Sequence, residues 1–334
     1  MLLKVCKVIA IFIFLHIPAV SAKQPIVFQL DWLPGGDKSP VYVAIQQGFF
    51  EQAGFQVKVL TGRGSTDSIT RVASGQAQFG FADIGSLMAA KAQGEVLAQA
   101  VLPYFTQAPH AFYILEESKL TNISQLAGKR IATSPFTSSN GFLPLVLEEN
   151  GLHASQIQLI KANNGALGPM LLMKKVDAII AWTTNTALYQ DQARSAGKKI
   201  RVMPWSEKGL SLYSSSLIAS EKLINTDPEM VQRFSEAFAK AIKFAYENPA
   251  QAARNVHDLV PEVDPEVAQG QVESSYNLVF NLVTERDGFG KYTKDRLNTT
   301  WQYVSKANEL SVDALDPATV VPDFSLSEKR TQGQ

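Results

Sequence analysis

Ala77-Gln78-Phe79-Gly80-Phe81-Ala82-Asp83 finds a counterpart about a hundred residues further on in Val176-Asp177-Ala178-Ile179-Ile180-Ala181-Trp182, and the fold is read from that pair. Each contains a short uncharged run and ends on a residue able to make polar contacts, as a buried strand does whose working end is its C-terminus. Upstream of the first lie a strand at Ile26–Leu30 and a helix over Pro40–Ala53, with Val41, Ala44, Ile45 and Phe49 on one face and Gly54 as its stop. A further strand has Phe55, Val57 and Val59 alternating with Gln56 and Lys58, and a helix then runs from the Ser65/Thr66 cap to Ser74, closed by Gly75. Upstream of the second the order returns: strand Arg130–Ala132, helix Asn140–Asn150 stopped by Gly151, strand Ile157–Ile160, helix Ala166–Lys174. Strand–helix–strand–helix–strand twice over predicts an α/β protein of two similar lobes. Each lobe has a mostly parallel sheet flanked by helices, with the ligand site beyond the strand C-termini.

Outward from this repeat the texture changes. Ser211–Ser220 reads as one extended segment, and beyond Asp227 amphipathic helices dominate, at Pro228–Glu247, Pro249–Leu259, Pro265–Val279 and Leu297–Leu310. Three of them begin with proline, whose missing N–H costs nothing in a first helical turn. At the other end, Lys4 and Lys7 precede an apolar run from Val8 to Ile17, and Pro18-Ala19-Val20-Ser21-Ala22 supplies small residues before a cut after Ala22. That is the order of a cleaved secretory signal, and the run falls short of the roughly 20 apolar residues that span a bilayer.

The 334 residues hold 31 Lys+Arg, 31 Asp+Glu and one cysteine. Without residues 1–22 both Lys4 and Lys7 are gone, leaving 29 basic against 31 acidic residues and a net charge of −2; Cys6 goes too, leaving no cysteine. The absence of a basic block excludes a nucleic-acid binder, and the cysteine count excludes a disulfide framework. A cysteine-free exported chain fits a bacterial periplasm, stabilised by a large core.

The residues just past the strand ends are the candidates for the site. In the first lobe these are Asp31, Trp32, Gly62-Arg63-Gly64-Ser65, Asp83 and Ser86; in the second, Thr133, Ser134, Phe136, Ser138, Ser139, Asn140, Asn163, Asn164 and Trp182-Thr183-Thr184. Indole faces with short hydroxyl and amide groups suit a small flat polar ligand. Trp32 and Trp182 hold equivalent places in the two halves and are read as cleft residues; Trp205 and Trp301 are read as core. Asp31 and Asp83 either accept N–H bonds from a ligand or cap the next turn. The two acids disfavour an anion whereas helix N-termini at Ser65 and Ser138 favour one, so ligand charge stays open. Gly62-Arg63-Gly64-Ser65 lacks the third glycine of a dinucleotide loop. His110, His153 and His257 lie far apart in sequence, so no metal is expected, and the serines show no adjacent base. No cofactor and no catalytic residue are expected.

Leu30-Asp31-Trp32-Leu33-Pro34, Tyr42-Val43-Ala44, Gly48-Phe49-Phe50, Gly62 to Ser65, Val72 to Asp83, Leu126 to Ala132 and Val176-Asp177-Ala178 together resemble one family. It is the periplasmic solute-binding proteins of ABC importers for nitrate, sulfonates, taurine and thiamine-pyrimidine precursors, related to the fungal thiamine-pyrimidine synthase. The resemblance implies a type II clamshell joined by two hinge strands, with 23–112 and 217–334 as lobe 1, 113–216 as lobe 2, and crossings near Tyr113 and Tyr213. Tyr213 thereby becomes a candidate ligand contact. The implied function is capture of a small heteroaromatic nutrient by a monomer that delivers it to a permease and ATPase complex. A sulfonate, taurine or nitrate anion and riboflavin are the alternatives, with a synthase-like enzyme or a sensor module behind them. The pyrimidine-binding members typically continue Pro-Asn with a nearby histidine. Here Pro34 is followed by Gly35-Gly36-Asp37-Lys38, so only the Asp31 and Trp32 contacts carry over.

Overall fold

A computed structural model describes residues 23–206 and 212–327; the expected leader, 1–22, lies outside them. In chain order the first part comprises β1 (Gln24–Gln29), α1 (Ser39–Gln46), α2 (Phe49–Gln52), β2 (Phe55–Leu60), α3 (Ser65–Ala73), β3 (Phe79–Asp83), α4 (Ile84–Gln93) and β4 (Ala98–Pro103). The middle comprises β5 (His110–Leu115), β6 (Arg130–Thr133), α5 (Ser139–Glu149), β7 (Gln158–Lys161), α6 (Leu167–Leu172), β8 (Ala178–Trp182), α7 (Thr186–Ser195) and β9 (Ile200–Pro204). The chain returns through β10 (Ser215–Ser220) to α8 (Glu221–Thr226), α9 (Pro228–Glu247), α10 (Pro249–Leu259), α11 (Pro265–Val279), α12 (Leu282–Asp287) and α13 (Lys294–Ala307).

These strands form two five-stranded sheets of the same design, ordered β2-β1-β3-β10-β4 and β7-β6-β8-β5-β9. In each, three strands pair in parallel and the strand that has crossed from the other lobe runs antiparallel to both its neighbours. β3, β5, β8 and β10 are buried along their whole length. Helices cover both faces of the sheets, so these strands read as continuous apolar or small-residue runs and not as alternations.

The chain crosses from the first sheet to the second between β4 and β5 and is back in the first sheet at β10. The expected boundaries at 112/113 and 216/217 therefore fall inside β5 and β10, and Tyr113 is a strand residue of the second sheet. Both crossing strands are buried from their first residue.

α9 shows how the first lobe is held. Pro228 opens it, the Asp227 carboxylate accepts from the Met230 N–H at 3.0 Å, and Met230, Phe234, Ala237, Phe238, Ala241 and Ala245 repeat at helical spacing on its buried face. The Phe234 ring lies 3.9 Å from that of Phe79 and 4.4 Å from that of Phe50, which ties the helix to the sheet. The helix expected over Pro40–Ala53 is broken at Gly48, whose φ of 70° is left-handed, into α1 and α2. In the C-terminal part α11 packs against α7, and α13 against α4 and α5, so these helices brace both lobes. Among the described residues no helix is long and apolar enough to cross a membrane.

Candidate functional site in the interlobe cleft

The segment after β1 builds the cleft. Asp31 and Trp32 leave the strand end, and the loop then turns under α11 through Gly35 and Gly36. The Gly36 N–H donates to Gln271 Oε1 at 2.8 Å, and a Cβ at Gly36 would sit 1.8 Å from the Ala268 carbonyl oxygen. Only glycine permits that approach, and it carries the next two residues, Asp37 and Lys38, indoors. The Lys38 side chain has no exposure; its Nζ lies 2.8 Å from Asp31 Oδ1 and 3.4 Å from Asp37 Oδ2. The same ammonium sits 4.7 Å from the centre of the Trp182 ring, on the other lobe.

Burial would lower the Lys38 pKa, but the Asp31 and Asp37 carboxylates outweigh it and hold the ammonium above the usual lysine range. Burial pushes the Asp31 carboxyl up, against the pull of Lys38. The cluster is an ion pair with a second acid beside it, and it spans the cleft: Thr184 Oγ1 donates to Asp37 Oδ2 at 2.9 Å. Elsewhere along the seam Ser134 Oγ donates to the Arg63 carbonyl at 2.9 Å, and the Thr66 N–H donates to that of Phe136 at 3.3 Å.

Around the cluster the closed lobes leave a pocket of about 10 Å³, the size of one water, walled by Asp31, Trp32, Asp37 and Ser65 from one lobe and by Trp182 and Asn185 from the other. Asp31 Oδ2 and Trp182 Nε1 are buried there without hydrogen-bond partners. A lone acceptor and a lone donor beside two indoles match the edge of a flat ring that carries both an N–H group and a ring nitrogen or carbonyl.

Of the expected contacts, Asp31, Trp32 and Trp182 line this pocket. Ser134 and Phe136 lie at the seam, Phe136 with its ring 4.5 Å beneath the Arg63 guanidinium. Ser86, Ser138 and Asn140 line a separate groove, and Asn140 braces its own loop by donating to the Ser134 carbonyl at 2.7 Å. Tyr213 is fully buried against the C-terminal segment, its hydroxyl accepting from the Thr293 N–H at 3.1 Å and its ring packed on Tyr292. With ring and hydroxyl both taken up there, it does not reach the cleft.

Asp83 also departs from the ligand role. Its carboxylate caps α4 by accepting from the Ser86 N–H at 3.2 Å and accepts from Ser214 Oγ at 2.5 Å. Burial raises its pKa to about 6. His110 Nε2 lies 4.0 Å from Asp83 Oδ2, and His110 Nδ1 is 2.9 Å from Ser139 Oγ. The fold thus gives Ser139 the neighbouring base that sequence spacing did not reveal. All three are buried, and none lines the pocket, so the trio offers no place for a substrate carbonyl. Burial lowers the His110 pKa to about 3 and keeps the ring neutral.

Asp37, Lys38, Thr137 and Asn185 line or fill the pocket and were not among the expected contacts. The two glycines before Asp37 were the available signal for a loop pressed against another backbone. Among the described residues no three metal-ligating side chains cluster.

A family model described as NMT1/THI5 like matches residues 36–252. A putative thiamine biosynthesis protein of Haemophilus influenzae is 26% identical over 69% of this chain and 72% of its own length. A riboflavin-binding protein of Chloroflexus aurantiacus is 24% identical over 88% of this chain and 85% of its own. A 4-amino-5-hydroxymethyl-2-methylpyrimidine phosphate synthase of Saccharomyces cerevisiae is 20% identical over 75% and 76%. Among solved structures, the alkanesulfonate-binding protein of Xanthomonas axonopodis superposes with a TM-score of 0.70 at 16% identity, covering 90% of this chain and 98% of that one. That likeness establishes the periplasmic-binding-protein fold.

Proposed function

The chain belongs to the NMT1/THI5-like family, and from that premise we propose that it is the extracytoplasmic solute-binding component of an ABC importer. It captures a small, flat nitrogen heterocycle between its lobes and hands it to a membrane permease and its ATPase. The observation that carries this reading is the pocket itself, where Asp31 Oδ2 and Trp182 Nε1 are buried and unpaired beside Trp32. A ring with donor and acceptor edges, admitted as the lobes part, satisfies both groups and stacks on the indoles, and the cost of leaving them unpaired, about 1–3 kcal/mol each, becomes binding energy. The acids also favour a neutral or protonated ring over an anion. Binding draws on both lobes, so the closed form is the one the ligand stabilises. Export to a periplasm and a monomeric state belong to the same reading.

Tryptophan emission of the purified protein should change on titration with an aminopyrimidine of the thiamine-precursor type or with riboflavin, and Trp182→Phe should abolish most of the change. A response to an alkanesulfonate or nitrate and to none of the rings would overturn the heterocycle reading. The second reading, an enzyme, has the synthase relative in its favour; mass spectrometry of ligands recovered unaltered after incubation counts against it.

A further inference from the structure

The second sheet has an end that the cleft does not use. Its parallel strands β6, β7 and β8 direct their C-termini at the cleft and begin at the far end of the lobe, where β9 also begins and β5, running the other way, finishes. The pairings Leu115–Ile200, Ile114–Ala178, Ile131–Ala178 and Arg130–Gln158 put all five strand ends in one rank. The turns beyond them carry Lys119, Lys129, the pair Lys174-Lys175 and the pair Lys198-Lys199. Contacts knit these turns into one surface. Glu117 Oε1 lies 3.2 Å from Lys174 Nζ and 3.6 Å from Lys198 Nζ, the Glu116 N–H donates to the Lys199 carbonyl at 2.9 Å, and Lys129 shares a recess with Glu117 and Lys174.

With Arg130 and Arg201 this face holds eight cations against Glu116, Glu117 and Asp177, a net charge of +5 on a chain whose residues 23–334 sum to −2. The rest of the molecule therefore carries −7. No stretch of sequence holds such a block; the sheet assembles it from separate turns. Both arginines are committed, Arg130 to Asp177 at 3.0 Å and Arg201 to the Leu120 carbonyl at 2.7 Å. Among the described residues Lys119, Lys129, Lys175 and Lys199 make no ion pair, and all but Lys129 are exposed. Lys119 and Lys174 have left-handed φ angles of 59° and 57°, where glycine would relieve the backbone, yet both positions carry a cation. Met173, 58% exposed, adds an apolar side chain next to Lys174.

Free lysines are hydrated point charges on flexible stems. They suit a diffuse field of phosphates, whereas the fixed carboxylates of a protein partner are better met by arginine forks, and here the arginines are taken. An exposed apolar residue among them matches the boundary between headgroups and acyl chains. We propose that this end of the second lobe is a docking face for a bilayer surface rich in anionic phospholipid. The face points away from the cleft, so the pocket stays accessible while the protein is held near the membrane. The proposal goes beyond ligand capture and does not depend on which ligand is bound.

Sedimentation with vesicles tests this, using the purified protein free of residues 1–22. It should pellet with vesicles of phosphatidylglycerol and phosphatidylcholine in equal parts and stay in solution with phosphatidylcholine alone. Salt that shortens the Debye length from about 30 Å to about 3 Å should release it. The triple variant Lys119→Gln, Lys175→Gln, Lys199→Gln should lose on the order of a hundredfold in partitioning, about fivefold for each lysine near the surface. A control triple, Lys222→Gln, Lys294→Gln, Lys306→Gln, removes the same charge from exposed sites on α8 and α13 and should keep nearly all of it. Melting temperatures check that both variants fold. Failure to associate with the mixed vesicles overturns the proposal and leaves the face to an acidic protein. Equal association with the neutral vesicles, or equal losses in the two triple variants, overturns it as well.

Discussion

The Lys38 ammonium has no exposure and is held by Asp31 and Asp37, so removing it leaves buried carboxylates without a counter-charge, whereas removing Asp31 still leaves it Asp37. Lys38→Met should lower stability by about 3–5 kcal/mol and Asp31→Asn by less, while the double variant should cost clearly less than the two together. Urea unfolding of the three proteins measures this, and strict additivity would show that the pair does not act as a unit. Asp83 and His110 form a second test at the same scale. Asp83, raised to about 6 from 3.8, keeps in the folded protein a proton that the unfolded chain has lost, so its contribution to stability is present at low pH and is lost as pH rises through that window. His110, lowered to about 3 from 6.5, refuses a proton that the unfolded chain takes up, so its contribution is lost as pH falls. Between about pH 4 and 6 the two slopes oppose each other, each at most about 1.4 kcal/mol per pH unit. Relative to wild type, Asp83→Asn should make stability rise more steeply with pH across that range, and His110→Gln should make it fall. Denaturant midpoints at several pH values decide, and parallel profiles for all three proteins would refute both assignments.

At the level of elements, the approach of α3 to the second lobe sets how far the cleft can close. A Cβ on Gly64, just before that helix, would lie 2.0 Å from the Phe136 carbonyl oxygen across the seam. Gly64→Ala should therefore hold the lobes apart without disturbing either sheet. The expected outcome is a larger radius of gyration in small-angle X-ray scattering, unchanged far-UV circular dichroism and ligand affinity weakened about tenfold or more; an unchanged radius would count against the contact as a closure stop. The elements differ in how well the sequence announced them. The bounds of α9, α10 and α11 coincide with the expected ones, because proline starts and a helical apolar period are local signals. By contrast β4 and β9 went unread, and β5 entered only as a hinge strand that the resemblance implies. His110–Leu115 is buried on both faces, and such a run has no alternation to distinguish it from a buried stretch of helix.

Across the whole molecule, the repeated strand–helix order was enough to establish two α/β lobes, since each period reports a face that must be covered, and Asp31, Trp32 and Trp182 were legible as residues following strand ends. The order of residues did not reveal which strand ends face each other. Tyr213 and Asp83 carry the right chemistry, yet one is turned into the C-terminal segment and the other is committed to a cap and to Ser214. Conversely, Asp37 and Lys38 were not among the expected contacts, and they come inside because Gly36 meets the Ala268 carbonyl and the loop is pressed inward. The fold class, the duplicated lobe and the aromatic character of the cleft were all present in the chain before it folds, because they follow from periodicity and residue type along a local segment. The buried lysine between two acids and the histidine beside Ser139 came only with three-dimensional packing, because each joins residues from separate segments whose approach depends on backbone contacts that no local pattern encodes.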